Sequence, residues 1–187
     1  MMESLWDIMY SQVEGISVVT LIISMIVSGI LVHIAYYLHS YVRGYSRSVR
    51  TEVLYILMCI YVCFLINITL LTREQGSREG IVLIPFANLF GATGRLNYRM
   101  LAYALYNVVL FVPYGMLLNF LKKHLNFWRR VCIVMAECFL ASLTIEGLQL
   151  ISGCGYFEVE DLVCNVLGGA LGVILAIPFK RLFASDI

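Results

Sequence analysis

Charge is what this sequence has least of. Only 13% of its 187 residues are Asp, Glu, Lys or Arg, while 61% are apolar; ordinary globular domains carry about 25% charged and about 45–50% apolar residues. That scarcity excludes a water-soluble domain of the usual kind and marks a membrane protein. A net charge of +1 excludes an overall nucleic-acid binder, so the 13 basic residues matter through the loops that hold them. Motifs are scarce too: there is no Walker loop, zinc-protease helix or nucleophile elbow, and no internal repeat of the kind many transporters carry. Cys59, Cys63, Cys132, Cys138 and Cys164 lie in apolar runs, with Cys154 alone in a loop, so no disulfide framework is implied. Cys59 and Cys63 stand four apart, but no His or second Cys pair joins them; they read as packing residues, and no metal or cofactor is expected. Residues 1–15 hold Glu3, Asp7 and Glu14 and no Lys or Arg, the reverse of a signal-peptide n-region, so this end is expected to stay attached.

What the sequence has is apolar length. A span needs about 20 residues to cross a core of about 30 Å at 1.5 Å per residue. Five stretches qualify, at about 16–38, 53–71, 101–121, 131–151 and 162–179. The expected fold is therefore all-α, a single polytopic membrane bundle of about five helices over residues 1–187. Between the second and third spans, Ile81 to Phe86 is apolar but too short to cross before Asn88, Gly91, Gly94, Arg95 and Arg99. It reads as an interfacial or re-entrant piece over the bundle mouth, because irregular backbone at membrane depth needs protein or water beside it. Inside the spans, His33 reads as a hydrogen-bonded packing residue, Asn67 as an amide bonded to a neighbouring helix, and Pro113 as a kink in the third span. Glu137 reads as a partner for the basic loop that precedes it.

The polar exceptions concentrate near the end of the chain. Ser142, Glu146 and Gln149 share one helix face, and Asp161, Asn165, Gly168 and Gly172 share a stripe of the next helix. A charge inside a span costs roughly 2.5–3.5 kcal/mol on insertion scales, so such groups usually face a bundle interior and act there. Glu146, Asn107 and Asn165 all fall within roughly 6–9 Å of the same end of their spans, counted at the helical rise. Nine of the 13 Lys and Arg lie in the loops 39–52 and 122–130 and in the tail, against Arg73, Arg78, Arg95 and Arg99 on the other side. The positive-inside rule then expects the N-terminus outside, the C-terminus cytoplasmic and the polar cluster near the outer surface.

These pieces resemble the VanZ-like family of bacterial membrane proteins. The likeness is carried by Ile84-Pro85-Phe86, by Asn107-x-x-Leu110-Phe111-x-Pro113-x-Gly115, by Glu146-x-x-Gln149 and by Asp161-x-x-x-Asn165-x-x-Gly168 with Gly172, about 84–176 in all. It implies a multi-span protein of the bacterial cytoplasmic membrane, associated in members of known role with resistance to teicoplanin-type glycopeptides. The family pattern often places an Arg in the outer loop before the acidic pair, whereas Ser152 to Tyr156 contains none. Arg95 and Arg99 of the other outer loop are the candidates to replace it.

Two functional classes follow. In one, the protein is a non-enzymatic membrane factor that alters how lipid-linked cell-wall precursors or lipoglycopeptides meet the outer leaflet, with Asn107, Gln149, Asn165, Arg95 and Arg99 as ligand-binding candidates. In the other it is an intramembrane enzyme acting on a lipid-linked envelope substrate, with Glu146 and Asp161 as the acid–base pair. A proton-relay transporter through Glu146 and Glu137 is the third reading. The bland reading is that these groups only bond helices together, at about 0.6–2 kcal/mol per contact. Pro113, Gly115, Gly168 and Gly172 are read as structural. Membrane lipids are the expected partners, and oligomeric state is left open.

Overall fold

The computed structural model describes residues 17–44, 48–73, 76, 80–90 and 95–181. Glu3, Asp7, Glu14, Arg47, Arg78, Gly91 and Gly94 lie outside the described residues. The described chain is a helical bundle: α1 (Val18–Arg43), α2 (Val49–Ile66) continuing into a π-helical turn (Asn67–Leu71), α3 (Tyr98–Leu121), α4 (Phe127–Ser152) and α5 (Val159–Leu175), then a 3₁₀ turn (Pro178–Arg181). Four of these, α1, α2 with its π turn, α3 and α4, are long and apolar enough to cross a membrane. The fifth, at 17 residues, rises only about 25 Å.

Helices α2 to α5 start three or four residues before the apolar runs that announced them, and α1 starts two residues after its run begins. Ser17, Ser48, Asn97 and Asn126 accept from backbone N–H groups of the first turns of α1 to α4. Those donors have no intrahelical partner and would otherwise go unsatisfied. α1 and α4 end on Gly44 and Gly153, both at positive φ (68° and 63°), where a side chain would be strained.

The segment after α2 is not helical. Its β1 (Ile81–Val82) pairs in parallel with β2 (Phe157–Glu158), a two-residue ladder between the loop after α2 and the loop after α4. Among the described residues this small ladder and an isolated bridge between Phe90 and Leu96 are the departures from an all-α description. The turns that follow include Phe86 at φ 60°, whose backbone N–H donates to Glu160 Oε2 at 2.8 Å.

α5 is packed against both α3 and α4, and glycines permit it. A Cβ on Gly168 would come within 3.0 Å of the Val108 carbonyl, one on Gly172 would strike the Val112 carbonyl, and one on Gly115 would strike the backbone of Gly169. Backbone therefore lies on backbone, the close approach that small residues allow between membrane helices. Gly169 serves the other side, against the Cys138 sulfur of α4. The core beneath is Leu65, Leu110, Phe111, Val134, Cys138 and Val173, with Phe111 and Val134 fully buried. Tyr61 Oη donates to the Leu110 carbonyl at 2.6 Å and ties α2 to α3. α3 runs unbroken through Pro113.

Several side chains settle as expected. His33 Nδ1 bonds Glu52 of α2, Lys122 pairs with Glu137 at 2.8 Å, and all six cysteines are free. Asn67 differs. Its amide donates to the Cys63 carbonyl of its own helix at 2.8 Å rather than to a neighbour. The reason is local: the π turn begins at this residue, and the side chain bonds back at i−4 within the same helix.

Candidate functional site

The site grows from the two faces predicted to meet. Ser142, Glu146 and Gln149 are all buried, exposing 0%, 2% and 3% of their surface. Across the α4–α5 contact, Asn165 Nδ2 donates to Ser142 Oγ at 2.8 Å. From α3, Asn107 Nδ2 donates to Asp161 Oδ1 at 2.5 Å. Three helices are thus joined at one depth through Asn107, Asp161, Asn165 and Ser142.

Glu146 belongs to this cluster by proximity, and its carboxylate is spoken for. It lies within electrostatic reach of Asp161 and Arg73, and Oε2 accepts the backbone N–H of Glu158 at 2.9 Å. The carboxylate therefore also holds the loop that opens α5. Gln149 is turned elsewhere: Nε2 donates to the Thr69 carbonyl at 2.9 Å. That ties α4 to the π turn, where the i→i+5 bond from Thr72 N–H to the Asn67 carbonyl replaces the ordinary ladder. The geometry of Gln149 is that of a structural bond between helices.

Above the cluster opens a cavity of about 570 Å³. Its wall includes Arg73, Tyr103, Tyr106, Asn107, Glu158 and Asp161, with Val82 and Asn88 of the irregular segment closing one side. The basic group facing the acids is Arg73, immediately after the π turn, which acts electrostatically on Glu146, Glu158 and Asp161. Arg95 and Arg99 are not in the wall. Both are exposed, and the Arg99 guanidinium sits 5.9 Å from the Tyr103 ring on the cavity's rim. Arg73 stands beside the acids, and its side chain approaches the loop at Gly155 closely enough that a Cβ there would meet Nη1 at 3.0 Å. Gly155 leaves the room that a larger residue would fill.

One oxygen from each of Glu158, Glu160 and Asp161 lies within 4.8 Å of the others, a set able to hold a cation. Two of the three already accept bonds, Glu160 from Phe86 and Asp161 from Asn107. Burial, then repulsion from Glu160, holds the Glu158 carboxyl above the ordinary carboxylate range, and Arg73 pulls it back. Of the buried polar atoms that meet no hydrogen-bond partner among the described residues, two belong to this site: Tyr106 Oη, from a residue of the cavity wall, and Asn165 Oδ1. Unmet capacity of this kind is costly unless something polar arrives.

A model of the VanZ/LLP1 family matches residues 52–183. The chain belongs to the VanZ/LLP1 family. It is similar to "Protein VanZ" of Enterococcus faecium, 32% identical over 123 residues that make up 65% of this chain and 68% of that protein. No solved structure matches it. The VanZ/LLP1 match begins at Glu52, well before the residues 84–176 that carry the motifs, and so takes in most of α2, the π turn and Arg73. α1 lies wholly outside it.

Proposed function

We propose that this VanZ/LLP1 membrane protein acts at the outer leaflet of the bacterial cytoplasmic membrane and contributes to tolerance of teicoplanin-type glycopeptides, by altering how lipid-linked cell-wall precursors or the lipoglycopeptide itself enter the cavity. The observation that supports this most is the cavity wall: one guanidinium, two carboxylates, two amides and tyrosines around one opening at the end of the bundle. Such a wall suits a polar, mixed-charge headgroup whose lipid tail stays in the bilayer. The orientation is part of the proposal, N-terminus outside and C-terminus cytoplasmic, and rests on nine basic residues at one end against four at the other.

The enzymatic reading rests on a different observation, the neighbouring carboxylates of Glu146 and Asp161. It makes them an acid–base pair acting on a lipid-linked substrate, with Asn107 holding Asp161 in place.

Expression in a susceptible Gram-positive host tests the first reading. Tolerance to teicoplanin should rise more than tolerance to vancomycin, and Asp161→Asn and Glu146→Gln should abolish the rise at equal membrane abundance. Glu146→Gln removes the titratable charge and keeps the shape. Full activity in both variants would leave the carboxylates with a packing role alone. A covalently altered lipid recovered after incubating purified protein with a lipid-linked precursor would favour the enzyme.

A further inference from the structure

At the opposite end of the bundle from the cavity, the α3–α4 turn carries a buried arginine that pairs with no carboxylate among the described residues. Arg130 exposes only 7% of its surface, and its Nε has no hydrogen-bond partner. Its guanidinium folds back over the first residue of its own helix, 6.0 Å from the Phe127 ring. It lies beside the N-terminal turn of α4, a 26-residue helix whose cap satisfies the N–H of Arg129 through Asn126 Oδ1 at 3.0 Å. The start of such a helix carries partial positive charge and donors short of partners. Nearby in the chain lie Lys122, which pairs with Glu137, and Lys123 and Arg129.

A buried guanidinium whose Nε meets no partner among the described residues is expensive, and proteins normally supply a counter-charge. Membrane depth says where that counter-charge comes from. Trp128 is 76% exposed beside Phe127, the aromatic signature of the boundary between hydrocarbon and headgroups. The anions abundant at that depth are phosphates of phospholipids, and basic pockets between helices take them.

We propose that the α3–α4 turn is a binding site for the phosphate of an anionic phospholipid headgroup, with the Arg130 guanidinium and the N-terminal turn of α4 as the receptor and Trp128 against the upper acyl chain. The proposal is independent of the cavity and of what enters it. A guanidinium can present two parallel N–H groups to a phosphate, which an ammonium cannot.

The test uses full-length protein with Trp6→Phe, which leaves Trp128 as the single tryptophan, in mixed micelles titrated with brominated phosphatidylglycerol or brominated phosphatidylcholine. Bromine quenches Trp128 only when the lipid is at the turn. Phosphatidylglycerol should quench at about tenfold lower mole fraction than phosphatidylcholine, the preference expected of a charge-assisted, two-pronged contact. Arg130→Gln should erase the preference, Arg130→Lys should keep a smaller one, and Arg43→Gln, on α1, should leave it unchanged. Equal quenching by the two lipids in the Arg130 protein overturns the proposal, and this comparison stands even should Arg130→Gln fail to fold. An unchanged preference in folded Arg130→Gln overturns it as well. Competition by excess inorganic phosphate that abolishes the preference would assign the site to the free anion and overturn the lipid as its occupant.

Discussion

Replacing Gly168 by alanine tests whether α3 and α5 touch backbone to backbone as described. The new Cβ would come within 3.0 Å of the Val108 carbonyl and stand 3.0 Å from Phe111 Cβ. The carbonyl cannot swing aside within a helix, so the helices must separate by about 1 Å to restore ordinary contact distances. Overpacking of this kind costs about 1–3 kcal/mol, and alanine returns up to about 1 kcal/mol of helix propensity. The net loss, about 1–2 kcal/mol, is a factor of about 5–30 in the folded ratio. Separation also acts on the site, because Asn107 adjoins Val108 and its 2.5 Å bond to Asp161 spans the same two helices. An added ångström leaves that bond at the edge of hydrogen-bonding range. The assay is retention of the monodisperse peak by fluorescence-detected size exclusion after heating, with tolerance to teicoplanin measured beside it. Gly147→Ala is the control, since nothing lies within 4 Å of a Cβ there; it should be neutral or slightly stabilising. Equal heat resistance of Gly168→Ala and Gly147→Ala would refute the close approach.

Three further outcomes are expected. Arg73→Gln removes the cation facing the acids and should abolish tolerance at normal abundance, whereas Arg99→Gln at the rim should retain most of it; the reverse order in a susceptibility assay would return the role to Arg99. Gln149→Leu leaves the buried Thr69 carbonyl unpaired and should cost about 1–3 kcal/mol of stability, seen as a lower melting transition in detergent; no change would make that bond dispensable. In a cysteine-free background, an impermeant thiol reagent applied to sealed cells should label Tyr156→Cys and spare Trp128→Cys, both exposed positions, and labelling of Trp128→Cys would invert the proposed orientation.

The membrane bundle was legible in the sequence because apolar runs of span length admit few other readings. The pairing of Ser142, Glu146, Asp161 and Asn165 was legible because helical spacing fixes which residues share a face. What helical periodicity cannot carry is where a loop side chain ends up. Arg73 was visible only as one of four basic residues between the second and third spans, and the signal for it lies in three dimensions. Gln149 shared the face of Glu146 by spacing, yet its amide bonds the Thr69 carbonyl of the π turn, a partner that spacing within one helix cannot name. The two-residue ladder between Ile81 and Phe157 joins segments 76 residues apart, beyond any local pattern. Gly169 stood beside the glycines of the stripe, one position round the helix, and its neighbour Cys138 gives the reason.

The π turn at Asn67–Leu71 works as a phase shifter. Relative to a regular helix it accommodates one extra residue, and each residue turns the chain by about 100°. Everything downstream leaves α2 on a different bearing, and the first side chain to use that bearing is Arg73. A one-residue deletion within the turn would let the helix run on regularly and aim the guanidinium about a quarter-turn away from the acids, with every residue of the cavity wall still present. Length in this short stretch is therefore coupled to charge placement, and insertions or deletions there would retune the cavity without changing any residue of its wall.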